Sequence, residues 1–134
     1  VQTTLFNGAS SIAQAGGIAA MSEAGQKEMR SLTDYYLENA RLIRETLLSE
    51  RFANLGVEVY GGDNAPYVWA RFPGRDSWKV FDAILDSCHV VTTPGVGFGP
   101  AGESFIRFSA FGHRAAVQEA CGRLSAKLVL DVGA

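Results

Sequence analysis

The sequence predicts an α/β fold: a small sheet with helices on one face, a two-layer sandwich, preceded by a helical stretch. Three observations carry this. Apolar residues recur at three- and four-residue steps in residues 23–50, 77–88 and 113–128, as on helices with one buried side. Four short runs rich in β-branched and aromatic residues, bounded by Gly, Pro and Asn, read as strands. The order helix, helix, strand, strand, helix, strand, strand, helix suits a sheet covered by helices. At 134 residues and 47% hydrophobic, the chain is enough for one core and not obviously for two.

The first predicted helix covers residues 11–21, with Ser10 or Ser11 as its cap. It is mostly Ala and Gly, with Ile12 and Ile18, and Gly16 and Gly17 weaken it by about 1 kcal/mol each relative to alanine. Such a surface permits close approach of another backbone, so this helix is expected to press against protein. Ser22 opens a longer helix over about residues 23–50, whose stripe is Met29, Leu32, Tyr36, Ala40, Ile43 and Leu47. At 1.5 Å per residue it would be about 40 Å long, the length of a helix that bridges two bodies or spans one whole face.

Gly56 closes that section. Val57–Tyr60 reads as a strand, Gly61-Gly62-Asp63-Asn64 as a turn, and Tyr67–Phe72 as a second strand, with Val68, Ala70 and Phe72 alternating against Tyr67, Trp69 and Arg71. Pro73-Gly74 ends it. Asp76 or Ser77 caps a helix whose buried side is expected to hold Trp78, Phe81, Ile84, Leu85 and Cys88. Strands at 89–93 and 104–110 flank a glycine loop. Beyond Gly112 a final helix carries the stripe Val117, Ala120, Cys121, Leu124 and Leu128.

A formal net charge of −2 gives no basic footprint for nucleic acid and no polybasic patch for membranes. No apolar run approaches the ~18 residues that span a bilayer. Cys88 and Cys121 form neither a metal-binding C-x-x-C nor a disulfide framework, which fits a reducing compartment. The start, Val1-Gln2-Thr3-Thr4, has neither an initiator methionine nor a targeting composition, and reads as the middle of a longer chain.

The chemistry concentrates in residues 90–112, VVTTPGVGFGPAGESFIRFSAFG. Alternation puts Phe105, Arg107 and Ser109 on one face of the second strand and Ile106, Phe108 and Ala110 on the other. The second set is a core face, so Arg107 points away from the core. A guanidinium beside a loop of small residues can hold a carboxylate by two parallel hydrogen bonds; an edge-strand arginine in solvent or a structural ion pair is the alternative. Gly97–Gly102 matches G-x-G-x-x-G, but a strand rather than a helix follows and Pro100 removes an N–H, so a dinucleotide site is not expected. His89 and His113 lie in no triad context. Lys27, Lys79 and Lys127 fall on polar helix faces, where nothing would hold an amine neutral for nucleophilic work.

The motif T-T-P-G-x-G-F-G-P-x-G-E-x-F-x-R-x-S-A-F-G resembles the C-terminal part of LL-diaminopimelate aminotransferases, pyridoxal-phosphate enzymes of the fold-type I group. Phe6-Asn7-Gly8-Ala9-Ser10 and Gly61-Gly62-Asp63-Asn64-Ala65-Pro66-Tyr67-Val68-Trp69 agree, in the family's order and across nearly the whole chain. The departures are Ser11, after the first stretch, and Val96, inside the glycine loop; neither removes a named functional group.

The resemblance implies that residues 1–22 end the large cofactor-binding domain, that 23–50 form the inter-domain helix, and that 51–134 form the small C-terminal domain. It implies that Arg107 grips the substrate α-carboxylate and that Asn7 reaches across a homodimer interface toward the partner's active site. The lysine that carries pyridoxal 5'-phosphate is expected upstream of this chain, leaving no catalytic or cofactor-binding residue within it. The implied reaction exchanges an amino group between LL-diaminopimelate and 2-oxoglutarate in lysine biosynthesis, in the plastid stroma of a plant or alga or in bacterial cytoplasm. Another fold-type I aminotransferase, or a non-catalytic module binding a small anion, stays open from the residues themselves.

Overall fold

The structure is a computed structural model and describes residues 8–130. It divides between Tyr35 and Tyr36 into two compact units.

In the first unit, helix α1 spans Ser11–Met21, and the Ser10 side chain accepts a hydrogen bond from the Ala13 N–H at 3.3 Å. Ser22 then forms a corner by donating to Ala19 O at 2.6 Å and accepting from the Gly25 N–H at 3.1 Å. Helix α2, Glu23–Leu47, starts there. The corner is tight: a Cβ on Gly25 would meet the Ala20 Cα at 2.9 Å. No residue of α1 is buried, and Ile12 and Ile18 are 84% and 75% exposed. A Cβ on Gly16 or Gly17 would meet nothing within 4 Å, so within its own unit this helix makes no close approach at these two glycines.

The second unit holds the core. The stripe of α2 is buried only in its C-terminal half, at Asn39, Ala40, Ile43 and Leu47, whereas Met29 and Leu32 are exposed. The helix ends at Leu47 rather than near residue 50. Ser49 interrupts it, donating its hydroxyl to Thr46 O at 2.7 Å, and a short helix α3, Glu50–Ala53, follows and buries Phe52.

Strands β1 (Glu58–Gly61), β2 (Tyr67–Arg71), β3 (Thr93–Pro94) and β4 (Phe105–Ser109) form one antiparallel sheet in the order β1-β2-β4-β3. Its core face carries Val68 and Ala70 of β2 and Ile106 and Phe108 of β4. These pack with Val80, Ile84 and Cys88 of helix α4 (Ser77–Cys88), with Val117, Cys121 and Leu124 of helix α5 (Arg114–Lys127), and with the buried end of α2. Fully burying one such aliphatic side chain stabilises the fold by about 1.5–3 kcal/mol. The expected two-layer α/β sandwich is therefore what forms.

Two local expectations change. Trp78 is 55% exposed, and Val80 takes the buried position instead. Asp76 is the N-cap of α4, accepting from the Trp78 and Lys79 N–H groups at 2.8 and 3.0 Å, and this sets the helix phase with Ser77, Val80, Ile84 and Cys88 inward. The strand expected at 89–93 shrinks to Thr93–Pro94, because His89 takes the left-handed conformation (φ 54°) that ends α4. Cys88, expected on the buried side of this helix, is its buried last residue.

Candidate functional site

Strand β4 lies between β2 and β3, which places Arg107 opposite Trp69 on one side and Thr93 on the other. Its neighbours Ile106 and Phe108 face the helices, so Arg107 emerges on the uncovered face, as alternation predicts. There the guanidinium carbon lies 4.6 Å from the ring centre of Tyr67 and 4.5 Å from that of Phe98. Trp69 meets Phe98 edge-on at 5.2 Å and Phe105 at 6.2 Å, and Tyr67 meets Phe111 at 5.4 Å. The arginine sits in an aromatic floor.

What it lacks is an acceptor. The Arg107 Nε is buried and has no hydrogen-bond partner, and among the described residues no carboxylate pairs with the guanidinium. Other arginines are committed. Arg71 bonds Glu58 at 3.2 Å, Arg41 pairs with Glu38 and Glu45, Arg44 and Arg51 donate to the carbonyls of Gly61 and Leu128, and Arg123 pairs with Glu119. Aromatic contact favours the Arg107 cation by about 0.5–2 kcal/mol but engages none of its N–H groups. Leaving a buried donor unsatisfied costs about 1–3 kcal/mol. An anion with two coplanar oxygens, a carboxylate, matches what remains.

The elements around Arg107 are held firmly. Residues 95–102 form two 3-10 turns, Gly95–Phe98 and Pro100–Gly102. A Cβ on Gly95 would strike the Phe105 Cβ at 2.6 Å, and one on Gly102 would strike the Gly95 carbonyl. These two glycines are required by packing inside the loop, whereas Gly97 and Gly99 would meet nothing within 4 Å. The small residues expected to admit a substrate therefore divide into two that close the loop and two that leave it open.

Glu103 fastens the loop's end, accepting from the Ser77 N–H at 2.7 Å and the Ser104 N–H at 3.1 Å. These bonds hold its carboxyl below the ordinary 4.5. On the far side of β4, the fully buried Asn39 donates to the carbonyls of Ala110 and Gly112 at 3.0 and 2.9 Å and accepts from Arg114 Nε at 2.6 Å. It ties α2 to the turn that carries Phe111, which packs on both Tyr36 and Tyr67. Asn39 was not part of the predicted stripe of α2; it lies three residues after Tyr36 and next to Ala40, and a polar residue at that helical spacing was the signal that could have marked it.

Of the other residues singled out from sequence, Asn7 lies outside the described residues. Asn64 is an exposed turn residue. Tyr67, in the same stretch, stands directly against Arg107. His113 is the exposed N-cap residue of α5, and Lys27, Lys79 and Lys127 are exposed on α2, α4 and α5. Among the described residues no cluster of His, Cys, Asp and Glu could hold a metal ion, and no helix is long and apolar enough to cross a membrane.

The family model for aminotransferase class I and II matches residues 2–124. The chain belongs to that family. This aminotransferase chain is 55% identical over 121 residues to a rice protein named probable LL-diaminopimelate aminotransferase, chloroplastic, and 53% identical over 120 residues to the Arabidopsis thaliana LL-diaminopimelate aminotransferase, chloroplastic. Each comparison covers 90% of this chain and 25% of the relative, so the chain spans about a quarter of the length of the curated relatives it matches. The solved L,L-diaminopimelate aminotransferase of Chlamydomonas reinhardtii superposes with a TM-score of 0.81 at 52% identity, covering 91% of this chain and 29% of that one. The mixed α/β fold of the chain accordingly matches a part of the fold-type I aminotransferase structures.

Proposed function

We propose that these residues are part of an LL-diaminopimelate aminotransferase that exchanges an amino group between LL-diaminopimelate and 2-oxoglutarate, giving tetrahydrodipicolinate and glutamate. The observation that carries this reading is Arg107, a guanidinium seated among rings with a buried N–H that nothing in the described chain accepts. Amino-acid and oxo-acid substrates both bring a carboxylate to it. Similarity above 50% to proteins named for diaminopimelate supports this choice within the family.

In this reading Arg107 holds the substrate α-carboxylate by two in-plane hydrogen bonds and so fixes the direction of the Cα–H bond. The aromatic floor keeps water from competing for the ion pair. Pyridoxal 5'-phosphate, the cofactor in general of this family, supplies when bound an electron sink for the substrate Cα. No lysine of this chain is assigned to the cofactor, which other parts of the enzyme would hold. Residues 1–22 would belong to the large domain, 23–50 to the helix joining the domains, and 51–134 to the small domain. The enzyme would be a homodimer with Asn7 near the partner's substrate, and plastid stroma is the proposed location on the example of the plant relatives.

The test is Arg107→Lys in the full-length enzyme. Lysine keeps the charge but loses the planar two-bond match, so the loss in kcat/KM should correspond to about 2–5 kcal/mol in both half-reactions. Cofactor affinity should hold. Kinetics with diaminopimelate, aspartate and aromatic amino acids then check the substrate, and unchanged kinetics for the variant would end the clamp reading.

A further inference from the structure

Phe98 has no evident structural duty. It is 54% exposed, it comes from the loop rather than from a strand, and it is not among the core residues. Yet its ring centre is 4.5 Å from the Arg107 guanidinium carbon, and it meets Trp69 edge-on at 5.2 Å. The backbone is shaped to hold it there. Phe98 closes the first 3-10 turn, and Gly99 follows at φ 122°, a conformation that strains any other residue. The Gly99 N–H bonds Val96 O at 3.0 Å, and Gly95 packs directly against Phe105 at the base of β4. The loop thus fastens an otherwise exposed ring onto a guanidinium that has no acceptor among the described residues.

We propose that Phe98 is a positioning residue for the carboxylate site: its ring, with that of Tyr67, holds the Arg107 guanidinium in one orientation before the substrate arrives. This rests on the reading of Arg107 as the carboxylate clamp. An arginine side chain loses substantial rotamer freedom on being fixed, and a ring contact in place beforehand removes that loss from the binding step. The ring spends none of the N–H donors, so the full hydrogen-bonding edge stays available to a carboxylate. A leucine would fill part of the space but has no π face. A tyrosine keeps the face.

The experiment measures glutarate binding to the full-length holoenzyme by calorimetry, since glutarate offers the carboxylates of 2-oxoglutarate and has no oxo group to react. Phe98→Leu should weaken glutarate about 3- to 30-fold, the scale of one cation–π contact, with the melting temperature and cofactor occupancy nearly unchanged. Phe98→Tyr should restore most of the affinity. In an Arg107→Lys background, Phe98→Leu should add less than about 2-fold, because the ring acts through the guanidinium. Wild-type affinity in Phe98→Leu, or the same loss in both backgrounds, would overturn the positioning role while leaving the clamp standing. Wild-type affinity in Arg107→Lys alone would instead overturn the clamp, and the role of Phe98 with it.

Discussion

Glu103 shows how one side chain serves both the fold and the site. Its carboxylate receives the Ser77 N–H, capping the start of α4 along with Asp76, and the Ser104 N–H just before β4. Ser104 is itself strained, at φ 67°, and is held by donating its hydroxyl to Arg75 O at 2.7 Å. The bonds to Ser77 and then to Ser104 lower the Glu103 pKa from 4.5. A carboxyl whose folded pKa is depressed contributes stability that is fully present above its unfolded value and is lost as pH falls through the folded value. Glu103→Gln removes that contribution. The melting-temperature gap between wild type and Glu103→Gln should therefore be constant near neutral pH and should narrow below about pH 4.5. A gap that does not change down to pH 3 would mean that Glu103 is not the cap the geometry describes.

Among the elements, the glycine loop makes the sharpest distinction. Gly95 and Gly97 look alike in the motif and differ in three dimensions. A methyl group on Gly95 would lie 2.6 Å from the Phe105 Cβ and 2.8 Å from the Phe105 carbonyl oxygen, and neither is the free end of a flexible chain. The loop or β4 must shift, and overpacking of that kind costs about 1–3 kcal/mol. Gly97 has open space around its Cα. Gly95→Ala should lower stability by that amount in urea unfolding and weaken carboxylate binding, since the same loop carries Phe98. Gly97→Ala should change stability by less than about 0.5 kcal/mol. Equal effects at the two positions would contradict the packing. The same logic separates Gly25, which meets Ala20 backbone atoms, from Gly16 and Gly17, which meet nothing.

For the molecule as a whole, the apolar surface left uncovered is the informative quantity. Ile12, Ile18 and Met21 of α1 are largely exposed, as are Met29 and Leu32 early in α2. Alanine and glycine fill much of the rest of α1, a surface made for contact with another backbone. Under the proposed function this helix lies at a subunit or inter-domain interface of the full-length enzyme. A cysteine introduced by Gly16→Cys should then react with a maleimide at least about tenfold more slowly in the native enzyme than in urea-unfolded enzyme. Equal rates would mean that α1 stands in solvent in the assembly as well.

Periodicity by itself determined most of the second unit: the stripe of α2 from Ala40 onward, the alternation of β2 and β4, the outward direction of Arg107, and the last helix. These are local consequences of which side chains avoid water, and the 3.6- and 2-residue periods record them directly. The departures came where contacts distant in sequence outweighed local pattern. Trp78 is apolar enough to be expected inside, but the Asp76 cap and the sheet set the helix phase and Val80 fills the core. His89 was expected to enter a strand and instead ends a helix in the left-handed region. The site shows the same division. Arg107 was legible as an arginine turned from the core beside a glycine loop. Its ring partners were not, because Tyr67 arrives through the register of β2 with β4 and Phe98 through the fold of the loop. The bonds of Asn39 to Ala110 and Gly112 join residues 71 and 73 positions apart in sequence. Composition could name the charge at the site; only tertiary packing decided what surrounds it and left its buried N–H without an acceptor among the described residues.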